Sequence, residues 1–375
     1  MADAKHIQKV ASTVSAAVDP REIIQGSRSA HRLAVDEMMM KVQKTYVGMS
    51  SRDDNLVESI EYVIDGWART MSAKGRGAAF AVGKLAEASV LFVVGESGAG
   101  KSRALERAFH KTPEFGGYGD PDAPCPLITV LVPSPFTLRA FAVSIYNAVG
   151  AYSEELEEIR ESVIWSGARK ILVGRVAVLH IDEAQNLMES RNPVEIEKAR
   201  NALRNLVQNK EWPVSLILSG TPTLYKLMGE FQVGRRKEAF VVEPLDPDSG
   251  YDRQILCNAL ENFCKKAGIS SGGTLTNDNM MDRLLHASLN RLGVAIDLMH
   301  LAIRKALRDS DKSLSKAHFV DAFARRTGCR PNENIFGVAD GYRAIKTEPL
   351  LFRDIKPEDD EPQKKPRRVS YKREK

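Results

Sequence analysis

Hydrophobic positions fall into two rhythms along the middle of the chain. Apolar runs at Val90–Val94, 128–132, 176–181, 214–218 and 240–242 are short and β-rich, as strands buried on both faces require. Between them, 137–149, 154–171 and 194–209 repeat apolar residues at helical spacing. This alternation predicts an α/β protein with parallel strands joined by crossover helices, a three-layer αβα core over 86–245. Residues 1–85 read as a helical N-terminal extension with helices at 27–44 and 56–72, followed by a Gly/Ala-rich stretch at 74–79. Beyond Pro244 the strand pattern stops. Helical spacing at 253–267, 279–288, 293–308 and 315–326, the last capped by Ser313 or Ser315, predicts a small helical domain over 246–330. Residues 331–375 read as a largely disordered tail, since 356–375 holds three prolines and almost no large apolar side chain.

The first apolar run leads into Gly95, Glu96, Ser97, Gly98, Ala99, Gly100, Lys101 and Ser102, a full Walker A phosphate-binding loop. A buried strand that turns through glycines into a helix (101–110, stopped by Pro113) presents backbone N–H groups and a helix dipole to an anion. Gly95 and Gly100 permit the turn, Lys101 reaches β/γ-phosphates, and the Ser102 hydroxyl ligates Mg²⁺. The third run ends in Asp182-Glu183, the matching Walker B pattern. Asp182 is the second Mg²⁺ ligand, and Glu183 the carboxylate that orients and deprotonates an attacking water. These residues predict an ATPase with ATP and Mg²⁺ as cofactors. His180 lies on the opposite strand face from Ile181 and reads as a packing histidine.

The fourth run closes with Leu218-Ser219-Gly220-Thr221-Pro222, where Ser219, or Thr221 after it, is placed to read a γ-phosphate; a plain turn is the other reading. Arg235 and Arg236 precede the last strand, either as a solvated turn or as arginines offered to a neighbouring subunit's γ-phosphate.

Composition narrows the setting. The 375 residues are 43% hydrophobic and 27% charged, enough for one large or two moderate domains. No run of eighteen uncharged apolar residues and no apolar N-terminal leader occurs, so the expectation is a cytoplasmic protein without a membrane partner. The net charge of +5 is carried by the tail: residues 364–375 hold seven basic residues against Glu374, so the core gives no electrostatic sign of nucleic-acid binding. Cys125, Cys257, Cys264 and Cys329 lack zinc spacing and read as reduced, mostly buried thiols.

The order of Walker A, Walker B, a polar residue after the fourth strand, paired arginines and a helical lid resembles the AAA+ ATPases. Within them, Leu179-His180-Ile181-Asp182-Glu183-Ala184-Gln185-Asn186-Leu187, with Leu218-Ser219-Gly220-Thr221-Pro222-Thr223-Leu224 and Arg235-Arg236, resembles the TniB/TnsC transposition regulators, relatives of the phage Mu B protein. The likeness covers about 86–330. It implies a homo-oligomer, ring or helical filament, that assembles with ATP on double-stranded target DNA, meets a target-selector protein, and recruits or activates a transposase. Hydrolysis then releases it. In that family the DNA-tracking residues follow the second strand, which points to Arg139, with Arg103 and Lys111 beside the Walker helix as further contacts. The family's lid places a sensor arginine just after a glycine; here Val294 follows Gly293, and Arg291 is the candidate substitute. An initiator-type AAA+ protein, or an adaptor or secretion ATPase whose tail binds a protein, are the alternatives.

Overall fold

The computed structural model describes residues 19–75, 88–188, 192–230 and 237–352. Five strands, β1 (Val90–Val94), β2 (Leu127–Leu131), β3 (Val178–Asp182), β4 (Ser215–Gly220) and β5 (Lys237–Val241), form one parallel sheet in the order β2-β3-β4-β1-β5. β1 lies inside the sheet between β4 and β5 and is buried throughout because both faces are covered. Phe92, Val90, Leu216, Leu218 and Ile181 pack on one side against α5 (Leu138–Ala148), α6 (Glu161–Leu172) and α7 (Pro193–Val207). On the other side Leu91, Val93, Ile217 and Val178 meet α4 (Lys101–Lys111) and α3 (Ser50–Gly75). The three-layer αβα fold is the one that the alternating rhythms predict.

The expected division of the chain changes at its C-terminal end, and the described part of the N-terminal extension, residues 19–75, is helical and packs onto both units that follow it. α3 presents Leu56, Ile60 and Val63, all fully buried at i, i+4, i+7 spacing, and these cover the sheet face that α4 alone leaves open. Each such side chain contributes about 1.5–3 kcal/mol on burial. Gly66 lets α3 close on the strand, since a Cβ there would lie 2.2 Å from the Ser89 hydroxyl. The helix before it, α2 (Ala30–Gln43), which follows the short α1 (Pro20–Gly26), instead buries Val35, Met39 and Val42 in the helical domain. One N-terminal segment therefore completes both units.

The helical domain comprises α9 (Gly250–Ala267), α10 (Asp278–Ala287), α11 (Leu292–Asp309) and α12 (Lys316–Thr327), linked to the sheet by β5 and preceded by a short α8 (Leu224–Glu230). α11 runs through its core with Val294, Ala295, Leu298, Met299, Ala302, Ile303 and Ala306 buried. Residues 331–352, expected in a disordered tail, belong to this core: Ile335, Phe336 and Tyr342 are buried, and α13 (Glu348–Leu351) follows. The reason is a buried cation. Arg283 is 2% exposed and donates to the carbonyls of Ile335, Val338 (2.9 Å) and Ala339 (2.7 Å), with its guanidinium 4.3 Å from the Tyr342 ring centre. Residues 353–375, with the basic cluster, lie outside the described residues, as do 76–79 of the Gly/Ala-rich stretch.

The helix expected at 154–171 is broken. Glu154–Glu157 is a single 3₁₀ turn and α6 starts at Glu161, because Arg139 takes the carbonyls of Leu156 (3.2 Å) and Ile159 that a continuous helix would need. The four cysteines are free thiols; Cys264 is buried, which pushes its pKa up to about 12, and the others are half-buried.

Candidate nucleotide site

β1 delivers the glycine loop, and Gly98 (φ 80°) and Gly100 (φ 95°) adopt the left-handed backbone that the turn demands. α4 begins at Lys101, so the N–H groups of its first turn have no intrahelical acceptor and are available to an anion. Lys101 is 8% exposed and donates to the carbonyls of Gly95 (2.8 Å) and Glu96 (3.0 Å). Burial lowers its pKa, while the charges of Glu183, Asp182 and Glu96 oppose that shift.

β3 brings its terminal carboxylate to the same place. Ser102 Oγ donates to Asp182 Oδ2 at 3.1 Å, so a hydroxyl and a carboxylate converge as a hard-cation site needs. Asp182 Oδ1 accepts from the Glu183 N–H (3.0 Å) and from Ser219 Oγ (2.6 Å). Glu183 stands at φ 53°, a left-handed conformation that costs a non-glycine residue about 1–3 kcal/mol and turns the chain sharply after the strand. Its side chain lines a cleft of about 220 Å³ together with Lys101, Ser102, Thr221, Gly293 and Asp297.

Ser219 is therefore not the phosphate reader expected of it. It is fully buried behind Asp182, and Thr221 occupies the cleft wall. Ser219 completes a chain of hydrogen bonds whose direction is fixed by chemistry. The Asp182 carboxylate only accepts, so Ser219 gives it its proton and must accept from His180 Nε2–H (2.8 Å); neutral His180 then accepts at Nδ1 from the Thr129 hydroxyl (3.1 Å). Burial of His180 against Phe109 pushes its pKa down to about 4, which keeps the imidazole neutral and the chain in this order. The packing histidine of the sequence also orients the Asp182 carboxylate.

Three further elements surround the loop, of which the sequence offers only Arg291, as a candidate sensor. Gly293, at the start of α11, touches the loop so closely that a Cβ would sit 2.6 Å from the Gly98 carbonyl oxygen. Arg291, 9% exposed, donates to the Ser97 carbonyl (3.1 Å), lies 3.7 Å from the Glu96 carboxylate, and stacks on Phe352 at 4.7 Å. The helical domain thus closes over the loop through an arginine that precedes the glycine rather than following it.

The third element is the turn between α2 and α3. Thr45, Tyr46 and Val47 line a second cavity of about 550 Å³ with Phe263, Ile296 and His300, and it shares Gly100, Arg103, Gly293 and Asp297 with the smaller cleft. An extended ligand whose anionic end occupies the cleft can place a flat, partly apolar end there. Its wall is fixed by Asp53, fully buried, which accepts from the Tyr46 hydroxyl (2.9 Å) and from Arg107 Nε (3.0 Å) and Nη2 (2.8 Å). The signal in the sequence was only a Tyr and a Gly in a helix break.

Burial pushes the Asp53 pKa up, but the hydrogen bonds and charge of Arg107, with Tyr46 and the Met49 N–H, outweigh it and hold the carboxyl below its ordinary 3.8. A depressed folded-state pKa stabilises the protein above the unfolded value and loses that contribution as pH falls through the folded one. Asp53→Ala is expected to cost about 3 kcal/mol at neutral pH, because Arg107 and Tyr46 lose their partner. The deficit should shrink below pH 4, and urea unfolding at neutral and acid pH measures both.

Arg139 is not presented to DNA, because its guanidinium is engaged with main-chain carbonyls inside the fold. Arg103 pairs with Glu106 (2.9 Å) and borders both cavities, which places it beside the nucleotide site, whereas Lys111 pairs with Asp54 on α3 (3.1 Å). Arg235 and Arg236 lie outside the described residues. No helix among the described residues is long and apolar enough to cross a membrane.

A glycine loop after an interior strand of a parallel sheet, facing an Asp-Glu strand end, defines a P-loop nucleoside-triphosphatase site. Residues 85–228 match the family model described as AAA domain, and no curated protein matches the chain in sequence. Among solved structures the chain is similar to the ORC1 protein of Aeropyrum pernix, determined in complex with DNA (TM-score 0.53, 16% identity, 77% of this chain and 69% of that one). It is also similar to Cdc6p from Pyrobaculum aerophilum (TM-score 0.52, 12% identity, 76% and 70%). At these identities the likeness is one of fold. Within the P-loop class, then, this chain carries an AAA-type ATPase domain.

Proposed function

We propose that the protein is an ATP- and Mg²⁺-dependent transposition regulator that oligomerises on double-stranded DNA and recruits or activates a transposase, hydrolysis releasing it. The observation that carries the ATPase part is that Ser102 and Glu183 line one cleft with the glycine loop while Asp182 is hydrogen-bonded to Ser102. The residues fit the nucleotide: the first-turn N–H groups of α4 and Lys101 neutralise phosphate charge, the larger cavity accepts the base, and Asp182 and Ser102 hold the cation. Mg²⁺ would supply charge neutralisation at the phosphate oxygens during hydrolysis. Glu183 takes the proton of the attacking water. Arg235 or Arg236 of an adjacent protomer completes the charge at the γ-phosphate, which links occupancy to assembly.

The regulator reading is supported by the Walker B run 179–187, the 218–224 run after β4 and the paired arginines taken together. The DNA partner agrees with the DNA complex of the similar ORC1 fold. Lys111 and the basic cluster at 364–375 are the cations for backbone contact, so binding should weaken steeply with salt. Electron microscopy of the protein with duplex DNA tests this reading. Rings or filaments with ATP or a non-hydrolysable analogue, absent with ADP, are expected; dispersed protein under all three conditions would favour an adaptor ATPase whose tail binds a protein.

A further inference from the structure

Gln185 is 6% exposed and lies two residues beyond the Walker B glutamate. Its Nε2 donates to Glu183 Oε2, and its Oε1 accepts from the Thr221 N–H at 3.2 Å. The orientation of the amide follows from its neighbours. A carboxylate can only accept and a backbone N–H can only donate, so an amide is the group that satisfies both at once. Space for it is made by Gly220, where a Cβ would lie 2.3 Å from Gln185 Oε1. One side chain thus ties the carboxylate at the end of β3 to the main chain at the end of β4.

We infer that Gln185 is a positioning residue for hydrolysis. It holds Glu183 Oε2 so that Oε1 is left for the attacking water, and it makes the aim of Glu183 depend on where the backbone at Thr221 stands. Thr221 lines the same cleft, so a movement of the β4 end on phosphate binding reaches the carboxylate through the amide. The inference rests on the ATPase reading above.

The test is steady-state hydrolysis and nucleotide binding by Gln185→Leu, alone and combined with Glu183→Gln. Gln185→Leu is expected to lower kcat about tenfold to a hundredfold, the order a misplaced reacting group costs, with KM and ATP affinity within about twofold of wild type. In the Glu183→Gln background it should add nothing, since the group it aims is already gone. Gly220→Ala, which displaces the amide while leaving Gln185 in the sequence, should reproduce the kcat loss and serves if Gln185→Leu fails to fold. An unchanged or raised kcat, a loss carried wholly by KM, or full additivity with Glu183→Gln would each overturn the inference. If Glu183→Gln itself hydrolyses ATP at the wild-type rate, the ATPase reading falls with it; a slow Glu183→Gln beside a normal Gln185→Leu overturns the positioning role alone.

Discussion

A Glu183→Gln protein is expected to hydrolyse ATP about a thousandfold more slowly than wild type, within the range that a positioned general base supplies, while still assembling on duplex DNA with ATP. The substitution keeps the size and the backbone turn of Glu183 and removes only the proton acceptor. Asp182 remains held by Ser219 and the Glu183 N–H, so the cation site is undisturbed. Assembly responds to bound triphosphate and release responds to its loss, so the DNA complex should persist after free protein is removed. Phosphate release and the lifetime of the complex in a chase measure the two halves. Wild-type turnover by the variant would remove Glu183 as the base.

Lys101→Ala should act one step earlier, on binding. The ammonium is buried, donates to the Gly95 and Glu96 carbonyls, and feels the charges of Glu183, Asp182 and Glu96. Removing it leaves that negative charge uncompensated where a triphosphate must enter. Truncating one partner of a buried, hydrogen-bonded charge contact to a ligand costs about 2–5 kcal/mol, so ATP affinity should fall roughly a hundredfold and ATP-dependent assembly on DNA should disappear. Titration with a fluorescent ATP analogue gives the affinity, and electron microscopy gives the assembly. DNA complexes of Lys101→Ala that form without regard to nucleotide would contradict the proposed coupling.

The parts of this fold legible in the sequence are those whose cause is local. Val90–Val94 is apolar at every position because both sheet faces are covered, and Gly100 has the positive φ of the turn read for it, although its companion there is Gly98 and not the expected Gly95. What stayed hidden depends on partners far along the chain. Arg291 reads as a candidate sensor, but nothing local in the sequence shows its bond to the Ser97 carbonyl, 194 residues before it, and the Asp53–Arg107 pair spans 54. Residues 331–352 read as a tail because their core residues, Ile335, Phe336 and Tyr342, follow no helical or strand period and their carbonyls are bound by Arg283, more than fifty residues earlier. Gln185 was visible as a residue within the Walker B run, but its bond to the backbone of another strand was not.

The N-terminal segment carries a further consequence, for the order in which the molecule can be made. α3 is synthesised before any strand, yet its partners include β4 and β5; α2 comes earlier still and packs on α9 and α11. A growing chain can therefore close α3 over the sheet only once β5 ends at Val241, and α2 must wait longer, its apolar face uncovered, until α11 ends at Asp309. Docking of α2 is a late, long-range event of the kind that slows folding and exposes intermediates.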